Sequence, residues 1–246
     1  MLPGPCRIVK CPYCGKKKEL MSLRTGNNLV TELWSDGKLI NPMLPSISFV
    51  QKCPQCKKFY LPDRLDAIYA KDGRWTMERG LLDFYELQKA LNALAETITT
   101  DEQYTIRMML LHAYNDNEQL ALKNGNELFF RENIHWLLEH WKQNEDNLWL
   151  KAELYRELGD FDTAEEILTS YSLEGNLEYI RQRILEMVQS KNSKVFCITS
   201  RNTNYRAEEF TLQNRPYVSN HKKKNIFQKW IDRLCSPIFS DGDLRY

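Results

Sequence analysis

Glycine and proline are scarce in this chain of 246 residues, ten and nine respectively. The prolines crowd toward the N-terminal quarter, and such a shift in composition marks two differently built regions. No stretch approaches the ~20 consecutive apolar residues that a membrane-spanning helix needs. The N-terminus, MLPGPCRIVK, lacks the basic start and apolar run of a secretory signal. There is no GxSxG, no P-loop and no GxGxxG, so no nucleophile elbow, phosphate cradle or dinucleotide turn is encoded. Histidine is limited to His112, His135, His140 and His221. In His135-Trp-Leu-Leu-Glu139-His140 the two rings stand about 140° apart on a helix, too far round to grip one metal ion. These histidines read as core or surface residues. With no catalytic constellation, the chain is expected not to be an enzyme.

What the chain does have is charge segregated by position. The overall charge of +1 conceals +7 over residues 1–60, −12 over 61–190 and +6 over 191–246. A basic head, an acidic middle and a basic tail can attract one another within the molecule. The aliphatic and aromatic content supports packed cores and excludes a disordered chain. Four of the seven cysteines fall in two CxxC pairs, which fits metal binding in a reducing compartment better than a disulfide framework. A cytoplasmic protein is expected.

The two pairs read Cys11-Pro-Tyr-Cys14-Gly15 and Cys53-Pro-Gln-Cys56-Lys57. Each shapes a tight turn in which two thiolates converge and backbone amides can point at the sulfurs. Four thiolates match the tetrahedral, soft-ligand preference of zinc, so Cys11, Cys14, Cys53 and Cys56 are expected to hold one structural ion. Lys16, Lys17, Lys18, Lys57 and Lys58 would partly offset the two negative charges of such a centre. A redox CxxC fits two pairs on one ribbon less well. A rubredoxin-like iron site uses the same four sulfurs and stays open. A catalytic zinc keeps an open position and employs His or carboxylate ligands, which argues against that role. Cys6 reads as a spare thiol, and Cys197 and Cys235 as small apolar residues.

The 38 residues between Cys14 and Cys53 read as strands and turns. Asn28–Trp34 is β-prone at its end, and Asp36-Gly37 predicts a type I′ hairpin turn returning through Lys38-Leu-Ile40. Pro42 and Pro45 interrupt the sheet, and Ser46–Lys52 leads into the second cysteine pair.

From Gly80 the periodicity becomes helical. Leu81, Phe84, Tyr85, Leu87, Leu91, Leu94 and Ile98 mark one amphipathic helix. Thr100-Asp-Glu-Gln103 predicts a capping box for the next, which Asn115-Asp-Asn117 ends. A further helix is expected over Arg131–Lys142, and another over Asn176–Gln189. Leu148–Leu168, LWLKAELYRELGDFDTAEEIL, predicts two helices flanking a Gly159-Asp160 turn, with Ala152 and Ala164 small enough for close approach. Tyr155, Leu158, Phe161 and Ala164 are expected at their interface. Glu153, Glu157, Asp160, Asp162, Glu165 and Glu166 read as the solvated face. This stretch resembles the central part of a tetratricopeptide repeat, over one hairpin only.

Beyond residue 190 the chain is polar until Lys222–Cys235. There Ile226, Phe227, Trp230, Ile231 and Leu234 predict one face of a basic amphipathic helix. It is expected to fold back on the acidic body as a removable plug, with a membrane surface or a partner groove as alternatives.

The Cys11–Gly15 knuckle, Trp34–Gly37 with Pro42–Pro45, Cys53–Cys56, and Lys151–Leu154 with Arg156–Gly159 together resemble the pattern of a family of uncharacterised bacterial proteins. That resemblance implies a four-cysteine zinc ribbon joined to a tetratricopeptide-like helical region, and implies no activity. The expected fold is therefore α+β, with a ribbon over 1–62, helical hairpins over 63–190 and a tail over 191–246. Two functions follow from these parts. One is an intracellular protein-interaction module, and the other is a nucleic-acid binder using the basic head and tail. The acidic middle favours the protein partner.

Overall fold

The computed structural model describes residues 2–25, 32–41, 48–70, 81–120, 123, 125–141, 147–172 and 175–200. The expected helix over Lys222–Cys235, the Pro42–Pro45 interruption, Cys235 and His221 lie outside the described residues. The strands are β1 (Leu2–Pro3), β2 (Cys6–Lys10), β3 (Lys17–Leu20), β4 (Leu23–Thr25), β5 (Glu32–Trp34), β6 (Leu39–Ile40), β7 (Gln51–Lys52), β8 (Phe59–Tyr60), β9 (Ala67–Ala70) and β10 (Cys197–Ser200). The helices are α1 (Phe84–Leu94), α2 (Thr100–Asn115), α3 (Asn126–Glu139), α4 (Leu148–Glu157), α5 (Phe161–Thr169) and α6 (Gly175–Gln189). Short antiparallel sheets and six helices among the described residues make the fold α+β. No described helix is long and apolar enough to cross a membrane. The described residues divide into two compact units, one within Met1–Asn28 and Met43–Leu110, the other within Leu29–Pro42 and Leu111–Asn225.

In the first unit β2 is central, flanked by β3 and β9, and all of its pairings are antiparallel. A second two-stranded sheet joins β7 to β8, and a third β1 to β4. Val9, Leu20 and Tyr60 close over Cys11 and Cys53 in one buried cluster. α1 turns Phe84, Leu87, Ala90, Leu91 and Leu94 inward, and packs against β8. It starts later than Gly80 because Asp83 caps it, accepting from the Glu86 amide at 2.8 Å. Two ion pairs pin a loop and a helix to the strands, Arg7 with Asp63 at 2.7 Å and Lys52 with Glu86 at 2.7 Å, and a third, Arg64 with Glu102, joins the segment after β8 to α2. The capping box of α2 lies one residue earlier than the sequence suggests. Thr99 Oγ1 accepts from the Glu102 amide at 3.3 Å, and Glu102 accepts from the Thr99 amide at 2.8 Å. Glutamate takes this place over Gln103 because it also meets the guanidinium of Arg64, whose Nε donates to it at 2.8 Å.

In the second unit β5 lies between β10 and β6. The β5–β6 hairpin forms where Asp36-Gly37 predicts it, but not with type I′ geometry. Only Gly37 has positive φ, 80°, and its amide closes the turn on the Trp34 carbonyl at 2.9 Å. Asp36 keeps an ordinary backbone and accepts from the Lys38 amide at 3.1 Å. α3 begins at Asn126, five residues before the expected start. Its first turn is held by Phe130, whose ring stacks on Tyr114 with centroids 4.1 Å apart. α4 and α5 form the hairpin expected around Gly159, and α6 packs on both. Gly159 adopts φ 82°, and the Asp160 amide reaches back to the Tyr155 carbonyl at 2.9 Å, a Schellman ending. Ala152 and Ala164 are fully buried in this unit with Leu150, Leu154 and Leu168, whereas Tyr155, Leu158 and Phe161 are only half-buried.

The acidic face of α4 is the main departure from the sequence reading. Asp160, Asp162, Glu165 and Glu166 are exposed, but Glu153 and Glu157 are buried. The reason is Arg156, itself 0% exposed, which grips Glu153 through Nε at 2.7 Å and Nη2 at 2.5 Å. A Schellman ending of α6 turns the Asn192 carbonyl toward Arg156, which donates to it through Nη1. The Phe196 ring lies 5.5 Å from the same guanidinium. Asn115 Nδ2 bridges Glu157 and Asp36, 3.1 Å from each. The Trp34–Gly37 turn and the Lys151–Gly159 segment, far apart in sequence, thus share one buried polar cluster.

Candidate metal centre

Each cysteine pair occupies the loop between two antiparallel strands, β2 and β3 for the first, β7 and β8 for the second. The two loops have the same backbone. The Cys11 amide donates to the Lys16 carbonyl and the Gly15 amide returns to Cys11, both at 2.9 Å. The Cys53 amide donates to the Lys58 carbonyl at 2.9 Å and the Lys57 amide returns to Cys53 at 3.0 Å. The residue after the second cysteine is left-handed in both, Gly15 at φ 71° and Lys57 at φ 61°. Glycine takes that conformation freely, whereas lysine holds it at a cost of about 1–2 kcal/mol.

The four sulfurs of Cys11, Cys14, Cys53 and Cys56 lie within 4.8 Å of one another. Cys11 and Cys56 are 3.7 Å apart, Cys14 and Cys53 3.6 Å. A tetrahedral thiolate centre with bonds of about 2.3 Å has sulfur–sulfur edges of about 3.8 Å. The set therefore fits a single metal ion. Cys11 and Cys53, the first of each pair, are buried; Cys56 is half-buried and Cys14 faces solvent.

Four crowded thiols cannot all ionise without a cation, and their proton affinities separate accordingly. Burial opposes the Cys53 thiolate, but the amides of Cys56 and Gln55 and the thiols of Cys56 and Cys14 outweigh it, bringing the group down to about 6. At Cys56 the Lys58 amide favours the thiolate, yet burial and the three other sulfurs push it up to about 11. Burial, then the charges of the four cysteines, pushes the Tyr60 hydroxyl up to about 12. That hydroxyl is buried with no hydrogen-bond partner among the described residues.

The remaining sulfurs stay apart from this group. Cys6 is buried, its thiol directed to the Leu20 carbonyl at 3.9 Å, and Cys197 turns to the Thr199 carbonyl at 3.1 Å. The histidines do not converge. His112 meets the Asp36 carbonyl at 3.1 Å, His135 is exposed, and His140 stacks on Trp136 with centroids 3.8 Å apart. Among the described residues, the four cysteines are the one group of three or more His, Cys, Asp or Glu placed to share an ion. Asp36, Glu153 and Glu157 are carboxylates sealed from solvent. Helical spacing alone conceals that cluster, and its one sequence signal is an arginine set between two glutamates. No family model, no curated protein and no solved structure matches the chain.

Proposed function

We propose that Cys11, Cys14, Cys53 and Cys56 hold one structural zinc ion and that the chain is a non-enzymatic interaction protein. In this reading the N-terminal strands are a zinc ribbon, and the helical region of α3 to α6, tetratricopeptide-like at the α4–α5 hairpin, presents a surface to a protein partner. The observation that carries it is the ligand set. Four thiolates at tetrahedral spacing leave no open position for substrate or water, so the ion holds two loops together and does not act on a ligand. The buried state of Glu153 and Glu157 supports the same reading, because a substrate cannot reach them. Free thiols at all six described cysteines fit a reducing compartment, and the cytoplasm is the proposed location. The motif resemblance to a bacterial family rests on its motifs, two of which meet through Asp36, Asn115 and Glu157.

Metal analysis of the purified protein tests the centre. One zinc per chain is expected, and Cys53→Ser should lose it while keeping most of the helical circular dichroism, since binding energy of a thiolate site is folding energy for the unit that carries it. Protein that holds no metal, or a variant with unchanged content, overturns the assignment; a red, iron-containing protein replaces zinc with iron. Leu128, 63% exposed on α3, gives a test of the partner surface. A protein recovered from native lysate by the full chain should be lost with Leu128→Glu, and recovery of nothing, or equal recovery by both, counts against that surface.

A further inference from the structure

The two knuckles carry more positive charge than a metal centre calls for, and they keep it at a cost. Lys10, Lys16, Lys17, Lys57 and Lys58 are all exposed, and none pairs with a carboxylate among the described residues. Arg7, Lys52 and Arg64 of the same unit each meet an acid. Because the four sulfurs converge, lysines from segments some forty residues apart are brought to one end of the unit. Five lysines exceed the two negative charges of a divalent ion bound by four thiolates, so the surplus is positive.

Two of these positions are unfavourable in the protein alone. Lys10 and Lys17 are direct cross-strand partners on β2 and β3, and like charges so placed destabilise a sheet. Lys57 occupies the left-handed position that its counterpart Gly15 fills without strain. A neutral residue at the first pair and a glycine at the second would relieve both. Beside them Tyr13 is 50% exposed, and Lys58 Nζ lies 4.8 Å from its ring centroid.

We infer that this knuckle face binds single-stranded nucleic acid, with a base stacked on Tyr13 and the phosphates held by Lys10, Lys16, Lys17, Lys57 and Lys58. An exposed ring next to unpaired lysines is the combination that single strands use, since every base has a π-face and every nucleotide a charge. An acidic protein would satisfy the lysines and leave the ring unused. Duplex DNA keeps its bases stacked inside and offers the ring nothing.

The test is fluorescence anisotropy of a labelled 15-nucleotide oligothymidine with the full, metal-loaded chain. Five phosphate contacts on a single strand predict a loss of affinity of about 100-fold between 50 and 200 mM salt. Tyr13→Ala should weaken binding about 5- to 100-fold with the salt slope unchanged, and Tyr13→Phe should restore it. The triple variant Lys10→Gln, Lys17→Gln, Lys58→Gln should reduce the logarithmic salt slope by about 2. Metal content and melting are followed in every variant, so a misfolded knuckle is recognised and replaced by the single Lys58→Gln, expected to lower the slope by about 0.7. Absence of binding at 50 mM salt overturns the inference. So does equal binding of duplex or polyglutamate, which would identify a surface for any polyanion, or a Tyr13→Ala affinity equal to that of the parent. Metal-free protein that binds the oligonucleotide equally well would also overturn the inference, because the face exists only while the two knuckles are held together; the zinc assignment itself is decided separately, by metal analysis.

Discussion

Replacing Arg156 by methionine removes the only cation among the described residues that faces the buried acids of α4 at contact distance. Two hydrogen bonds to Glu153 and one to the Asn192 carbonyl go with it, while methionine keeps most of the volume. Glu153, 0% exposed, then carries a charge with no partner. Breaking a buried pair in this way costs about 3–5 kcal/mol. The expected loss at pH 7 is therefore about 4 kcal/mol. The double variant Glu153→Leu with Arg156→Met leaves no unpaired charge at that pair, and should be far closer to the parent than the single variant. Denaturant unfolding of the metal-loaded protein at pH 7, followed by helical circular dichroism, measures both variants. A single variant within about 1 kcal/mol of the parent refutes the reasoning.

Glu157 gives a pH test. Burial first, then the charges of Glu153 and Asp36, hold its carboxyl well above the ordinary range, so the folded protein retains a proton that the unfolded chain releases near pH 4.3. Stability from this group is complete below that value and falls as pH rises toward the folded value, by about 1.36 kcal/mol per unit at most. Glu157→Gln should match the parent near pH 4, exceed it at pH 7 and show a flatter profile of unfolding midpoint against pH; a variant weaker than the parent at pH 7 contradicts this. In the knuckles, Lys57→Gly should raise the stability of the metal-loaded protein by about 0.5–1 kcal/mol, and Gly15→Ala should lower it by about 1–2 kcal/mol. Thermal melts of the two variants in opposite directions are the expected result.

The parts of the fold legible in the sequence are those where local chemistry leaves little choice. Two CxxC turns dictate where four sulfurs go, and Leu158-Gly159-Asp160 dictates a helix ending and a cap in one stroke. Asp36-Gly37 likewise marks a turn, though not its type, because a glycine after the turn serves as well as one inside it. Illegible parts depend on partners distant in sequence. Glu153 and Glu157 have the spacing of a wet helix face, and only the arrival of Asp36, Asn115 and Asn192 makes a dry one. The box at Thr99 is misplaced by one residue because Thr100 and Gln103 satisfy the local pattern equally, and the deciding charge belongs to Arg64. β10 does carry a local signal, the β-branched and aromatic run Val195-Phe196-Cys197-Ile198-Thr199, but its short length hides it in a polar stretch, and its place beside β5 is set by an edge far away in sequence.

That edge has a consequence in time. Phe196 and Ser35, which exchange hydrogen bonds at the start of the β10–β5 pairing, are separated by 161 residues. At a synthesis rate of about 5–20 residues per second, the hairpin of β5 and β6 waits roughly 8 to 30 s before its third strand has been made. Throughout that interval the outer side of β5 is an open row of donors and acceptors, able to pair with the same strand of another nascent chain. The third strand of this sheet thus waits for synthesis to reach Cys197, and any chain stopped before that residue keeps the edge open for as long as it exists.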